Sequence, residues 1–338
     1  MNARPTDVER QPVTPRQAAP RRPPLVVNTA TALLAIVFFV YVGGNGYRQD
    51  LALLFIAYAL LALGMYVPLA LCGSLSLAYN AYFAIGAYAV ALLASQSPLL
   101  IWAAIPIAIL TSMVIAALLG YVTRRLSGFH LAVATLMFGI ATHTWLVHGG
   151  ETTGGATGIG NIPRLWLFGY EVGRAGLIGA GLAIIWLFAT AIGRLRTSIV
   201  GVVMRAQREA PVAAEASGVP TEAVRILALA AGAGVASVAG ILFALMNQFI
   251  LPDSFAVSVV FLVLFMPILG GMASPWGSVL GAMIVVAFTL GFDFFQGPGS
   301  LTFGVLTLVV LLLAPSGLLG LFGDLLKRVA SARAGAPR

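Results

Sequence analysis

Charge is scarce in this chain. Asp, Glu, Lys and Arg make up 9% of its 338 residues, hydrophobic residues make up 60%, and mean hydropathy is +0.98; a soluble domain carries about a quarter charged residues. From Leu51 to Thr123 there is no Asp, Glu, Lys, Arg or His at all, a run that holds about three helices of roughly 20 residues each. Water is therefore excluded as the main solvent. Cysteine occurs once, as Cys72 in an apolar segment, which excludes an internal disulfide and a cysteine-rich metal site. Lysine also occurs once, at Lys327, and no Gly-x-x-x-x-Gly-Lys-Ser/Thr is present, so ATP hydrolysis by this chain is excluded. Gly154, Gly155, Gly158 and Gly160 lack the lysine and the preceding strand of a phosphate cradle.

Ionisable groups inside the apolar spans are nearly missing too. His143 lies mid-span and Asp293 at a span end, while His130 and His148 sit at the ends of their helix. Coupling to protons or sodium generally needs such groups in the membrane, so a stand-alone secondary transporter is disfavoured. No Ser with His and no pair of aspartates is available for intramembrane catalysis, so no catalytic and no metal-binding residues are expected. The net charge of +8 does not form one basic face, and nucleic acid is not an expected partner.

What is present is a series of apolar runs between turn signals, near 25–43, 51–72, 78–95, 99–123, 129–148, 176–193, 226–247, 255–271, 277–292 and 301–320. These predict an all-α polytopic membrane protein with about ten transmembrane helices (range eight to eleven) embedded in a lipid bilayer. The runs at 78–95 and 277–292 are short or broken by glycine, which a bilayer tolerates only where protein or a cavity covers the backbone. With a cytoplasmic N-terminus and ten crossings, 16 of the 19 cations fall inside, and only Arg48, Arg164 and Arg174 fall outside. Both termini are then cytoplasmic. Residues 1–24, rich in Pro and Arg, read as a disordered cytoplasmic leader rather than a signal peptide; 25–320 form the transmembrane domain and 321–338 a basic cytoplasmic tail.

Two soluble segments interrupt this map, an external loop at 149–175 and a cytoplasmic loop at 194–225. In the second, Met204 to Glu209 predicts a helix, Pro211 a restart, and Gly218 with Pro220 a left-handed cap and a stop. Small Ala213, Ala214 and Ala216 allow close approach by another protein, with Arg205, Arg208, Glu209 and Glu215 as charged partners at the rim. A solvated connector obeying the charge rule is the alternative reading.

The pattern Arg205 to Glu209 followed by Ala213 to Gly218 resembles the ATPase-coupling loop of the branched-chain amino acid permease family of ABC importers (LivM type). Residues 73–88, 153–163, 252–255 and 269–282 resemble further signatures of that family, in its order. The chain departs from the pattern at Pro211, at Val202 where arginine is common, and at Tyr79-Asn80 where Gly-His is frequent. The resemblance implies a permease subunit in a bacterial inner membrane, importing branched-chain or other neutral amino acids, or else urea or short amides. It implies a second related permease as partner, two cytoplasmic ATPase subunits that bind ATP and Mg, and an external substrate-binding protein; this chain itself needs no cofactor.

A path for a zwitterion with an apolar side chain needs mostly uncharged walls. Ser74, Ser76, Asn80, Thr135, Thr142 and Ser274 are candidate polar groups, beside Gly73, Gly86, Gly139, Gly270 and Gly271. Helix packing through small residues accounts for the same glycines and serines. The broken segments near 73–88 and 270–285 suggest two inverted five-helix halves with the path at their axis.

Overall fold

The computed structural model describes residues 25–42, 46–97, 100–126, 128–167 and 170–290. The expected leader, the span at 301–320, the tail and Asp293 lie outside the described residues. Among those described, helices are α1 (Leu25–Val42), α2 (Gly46–Tyr66), α3 (Tyr79–Gln96), α4 (Ile101–Val122), α5 (Phe129–His148) and α6 (Arg174–Thr197). They continue as α7 (Ile199–Glu209), α8 (Pro211–Ala216), α9 (Thr221–Asn247), α10 (Val257–Gly270) and α11 (Pro275–Leu290). Apart from α7 and α8, these helices fall on the first nine expected spans, with ends shifted by a few residues. Among the described residues, five are long and apolar enough to cross a membrane, counting α2 together with the turn after it; α1, α3, α10 and α11 are shorter apolar helices. The chain is mostly helical, with one small addition: β1 (Trp166–Leu167) and β2 (Tyr170–Glu171) form an antiparallel hairpin in the loop between α5 and α6.

The centre of the bundle is α9, which packs on α2, α3 and α4, while α10, α11 and α6 pack on α2. Its run Ala230 to Gly240 is almost entirely Ala, Gly, Ser and Val, so backbones approach where lipid gives little drive for association and close packing must supply it. At the α3 crossing, a Cβ on Gly86 would lie 2.1 Å from the Ser237 carbonyl oxygen. The outer helix α4 shows lipid the opposite face, with Leu110, Val114 and Leu118 exposed at four-residue spacing.

Regular helix fails where the sequence requires it. Pro68 lacks an N–H and its ring crowds the preceding turn, and α2 widens there into a π-turn over Val67–Leu71. The Pro68 carbonyl accepts from Ser74 N at 2.9 Å. Gly73 adopts φ +67°, a conformation that suits glycine. Residues 73–78 then run without regular structure to α3, with Ser74, Ser76, Leu77 and Ala78 buried. A second irregular linker, 248–256, follows α9; Gln248 ends that helix at φ +57°, and Pro252–Phe255 forms a 3-10 turn. The loop between α5 and α6 is pinned to this linker by reciprocal Ile159 and Ile250 hydrogen bonds of 3.0 and 2.9 Å.

Candidate functional site

The start of α3, just after the first linker, meets the second linker. Asn80, in the first turn of α3, donates from Nδ2 to the Gly139 carbonyl of α5 at 3.0 Å and to the Phe255 carbonyl at 3.2 Å. Thr135, one turn before Gly139 on α5, accepts the Leu77 N–H at 2.8 Å and returns its own hydroxyl to α5 at Leu131 O, 2.9 Å. That bond satisfies a backbone donor which a non-helical segment would otherwise leave orphaned. Gly139 lies near the middle of α5, so this junction sits midway along the bundle.

Polar capacity is left over there. Asn80 Oδ1 and Ser76 Oγ are buried without hydrogen-bond partners, and such groups in a native fold call for an explanation. One turn further along α5, His143 Nε2 stands 3.9 Å from Asp253 Oδ1, whose side chain is 91% exposed. Phe255 anchors the linker in a cluster with Phe83, Phe243 and Tyr88. Thr142 is less available, since its hydroxyl donates within α5 to Phe138 O at 2.9 Å.

The remaining path candidates lie elsewhere. Gly86 is a packing contact on α9. Gly270 and Gly271 belong to the α10–α11 turn, at the far end of a 14-residue helix from the Phe255 linker, a separation of roughly 20 Å at 1.5 Å per residue. A Cβ on Gly270 would overlap the Gly277 carbonyl, at 1.7 Å, and Gly271 has φ +107°. Ser274 closes this turn by accepting Gly277 N at 2.9 Å. The turn is held from two sides: Tyr66 Oη donates to Met272 O at 3.2 Å, and Arg196 donates to Ala273 O.

The second candidate element is α7–α8. Ser198 starts it, its Oγ accepting Gly201 N at 3.3 Å, so α6 and α9 extend into the expected loop and leave 198–220 between them. Gly218 has φ +79°, with Val219 N bonded to Ala214 O at 3.1 Å and Gly218 N to Glu215 O at 2.9 Å. This is the Schellman pattern that the Gly218 and Pro220 spacing predicts. Ala214 turns inward, whereas Val212, Ala213, Glu215 and Ala216 are exposed. Ile199 and Val202 of α7 are exposed as well. Glu215 accepts from Thr221 Oγ1 at 3.0 Å, and Arg205 donates to Gly201 O at 3.3 Å. Glu209 is exposed at the end of α7.

Arg208 behaves differently from its neighbours. It reaches back across the fold and donates to the Ala70 carbonyl at 2.5 Å, and a Cβ on Gly73 would lie 2.9 Å from its Cγ. The α7–α8 element is thereby fixed to the linker that leads, within a few residues, to Leu77 and Asn80. Sequence reading did not single out Asp253, Phe255, Arg196 or Arg225 as site residues. Pro252-Asp-Ser-Phe255 stands among the resembling motifs, and that was the available signal for two of them.

Broken helices meeting at mid-bundle, joined to a capped helical element at one end, define the class: a multi-pass membrane permease. The chain belongs to the family described as branched-chain amino acid transport system / permease component, whose model matches residues 47–315. It is 33% identical over 294 residues to the high-affinity branched-chain amino acid transport system permease protein LivM of Escherichia coli (strain K12), covering 80% of this chain and 69% of that protein. The LivM of Salmonella typhimurium (strain LT2) is 32% identical over the same length and coverage. No solved structure matches the chain.

Proposed function

We propose that this chain is the membrane-embedded permease subunit of a bacterial importer for branched-chain or other neutral amino acids, powered by ATP hydrolysis on separate subunits. The observation that carries the proposal is the Arg208 link, because it gives a force applied to α7–α8 a covalently short route to the Asn80 junction. Two ATPases that bind ATP and Mg would grip the exposed face of α7–α8, where Ile199, Val202 and Val212 are apolar anchors and Arg205, Glu209 and Glu215 the rim. A related permease and an external substrate-binding protein complete the assembly in the plasma membrane.

In this scheme the α7–α8 end faces the cytoplasm and the hairpin loop at 149–173 faces outward. The ten-span organisation as two inverted halves is part of the proposal. It is supported by α2–linker–α3 and α9–linker–α10, each a long helix, an irregular linker and a shorter helix, better than by the segments 73–88 and 270–285. ATP-driven closure presses on α7–α8, Arg208 shifts the 70–73 segment, and the hydrogen bonds of Leu77 and Asn80 to α5 rearrange. Substrate meets Asn80 Oδ1 and Ser76 Oγ, which accept from its ammonium, and passes largely uncharged walls.

The test is uptake of labelled leucine into proteoliposomes holding the assembled complex. Glu215→Lys with Gly218→Val is expected to abolish ATP-driven uptake while leaving insertion intact; unimpaired uptake removes the docking role. ATPase stimulation by leucine-loaded, but not urea- or amide-loaded, binding protein assigns the substrate.

A further inference from the structure

Between α7–α8 and the ends of α4 and α9 lies a cavity of ≈350 Å³. Its walls come from the linker at Cys72 to Ser74, the α4–α5 turn, α7–α8 and the start of α9. Four arginines line it, Arg124, Arg125, Arg208 and Arg225, against two carboxylates, Glu215 and Glu222. Two of the arginines are spoken for: Arg208 by Ala70 O, and Arg225 by the carbonyls of Leu126 and Arg124 at 2.7 and 2.5 Å. Arg124 lies over the Tyr121 ring at 4.8 Å, and no carboxylate forms an ion pair with it or with Arg125 among the described residues. The positive charge is therefore only partly compensated within the chain.

Two buried polar atoms of lining residues lack partners, Arg225 Nε, a donor, and Gln207 Oε1, an acceptor. The cavity thus offers guanidinium donors for an anion and a buried acceptor for a hydroxyl. Leu131 and Cys72 add an apolar wall, and α4, whose end forms one rim, shows Leu110, Val114 and Leu118 to lipid. Arg124 and Arg125 thus follow directly on an apolar helix with an exposed apolar face, the setting in which basic pockets between helices meet anionic headgroups.

We propose that this cavity binds the headgroup of an anionic phospholipid, the phosphodiester held by Arg124 and Arg125 and a headgroup hydroxyl donating to Gln207. Such a lipid bridges the α4–α5 turn to α7, and so braces the element that carries Arg208. That consequence for coupling rests on the function proposed above; the binding does not, and it is measured without the ATPases.

The experiment compares the full chain in nanodiscs of phosphatidylcholine with nanodiscs containing phosphatidylglycerol at one part in four. Phosphatidylglycerol is expected to raise Tm by about 2–4 °C, the shift of a site at ten to a hundred times its Kd. Arg124→Gln with Arg125→Gln is expected to lose that shift, and so is Gln207→Glu, which keeps the side-chain shape and adds a repelling charge. Arg164→Gln, in the loop at the opposite end, is expected to retain it. An equal shift in wild type and the cavity variants overturns the proposal, as does no shift in wild type. A wild-type shift produced by inorganic phosphate in pure phosphatidylcholine overturns the lipid as source and leaves a soluble phosphate site.

Discussion

Arg208 and Ala70, separated by 138 positions in sequence, are joined by a 2.5 Å hydrogen bond from guanidinium to carbonyl. The bond sits where the α2 helix has already widened into a π-turn, so the Ala70 carbonyl lies in the irregular end of α2. A charged donor on a partly buried carbonyl is among the stronger hydrogen bonds.

Arg208→Ala removes this link without emptying the core. Uptake in the reconstituted complex is expected to fall at least tenfold while ATP hydrolysis continues, and Arg208→Lys, which keeps a charged donor for the single Ala70 carbonyl, is expected to recover part of it. Parallel assays of hydrolysis and uptake check this; equal loss of both contradicts it.

Thr135→Val leaves the buried Leu77 N–H without its acceptor. The expected cost is about 1–3 kcal/mol, read as a lower Tm in detergent. Thr135→Ser keeps the hydroxyl and is expected to stay near wild type.

Gly86→Ala separates a packing role from a path role. The added methyl would sit 2.1 Å from the Ser237 carbonyl, so α3 and α9 must part, at about 1–3 kcal/mol. Lower stability with an unchanged KM in the folded fraction is expected. A changed KM at unchanged stability would return Gly86 to the path.

Gly218→Val places a β-branched residue at φ +79°, where Asn is the tolerated substitute. No atom crowds the position, so conformation alone decides. Gly218→Asn is expected to retain most uptake and Gly218→Val to lose it, with both proteins inserted normally.

Local chemistry made much of this legible in sequence. Apolar runs marked α1 to α6 and α9 to α11, and Pro211 with Gly218 marked the break and the cap of α7–α8. The glycines at 86 and 270 were legible as special positions, yet path and packing use the same small residues, and only the opposing backbone separates them. Contacts distant in sequence leave no local trace. Asn80 meets Phe255 across 175 positions, and Arg225 caps the end of α4 from α9; nothing in either neighbourhood announces the partner. Pairing 73–88 with 270–285 rested on shared glycine, serine and short broken spans, whereas the hydrogen bond the structure shows runs from Asn80 to Phe255 in 248–256.

The most direct measurement uses the buried Cys72 replaced by Ala and one new thiol, Val212→Cys, on the exposed face of α8. In the assembled transporter this thiol is expected to cross-link to the ATPase subunit and to react with an impermeant maleimide only from the cytoplasmic side. Labelling from the outside of sealed cells, or leucine uptake by the purified chain with no ATPase present, would contradict the account.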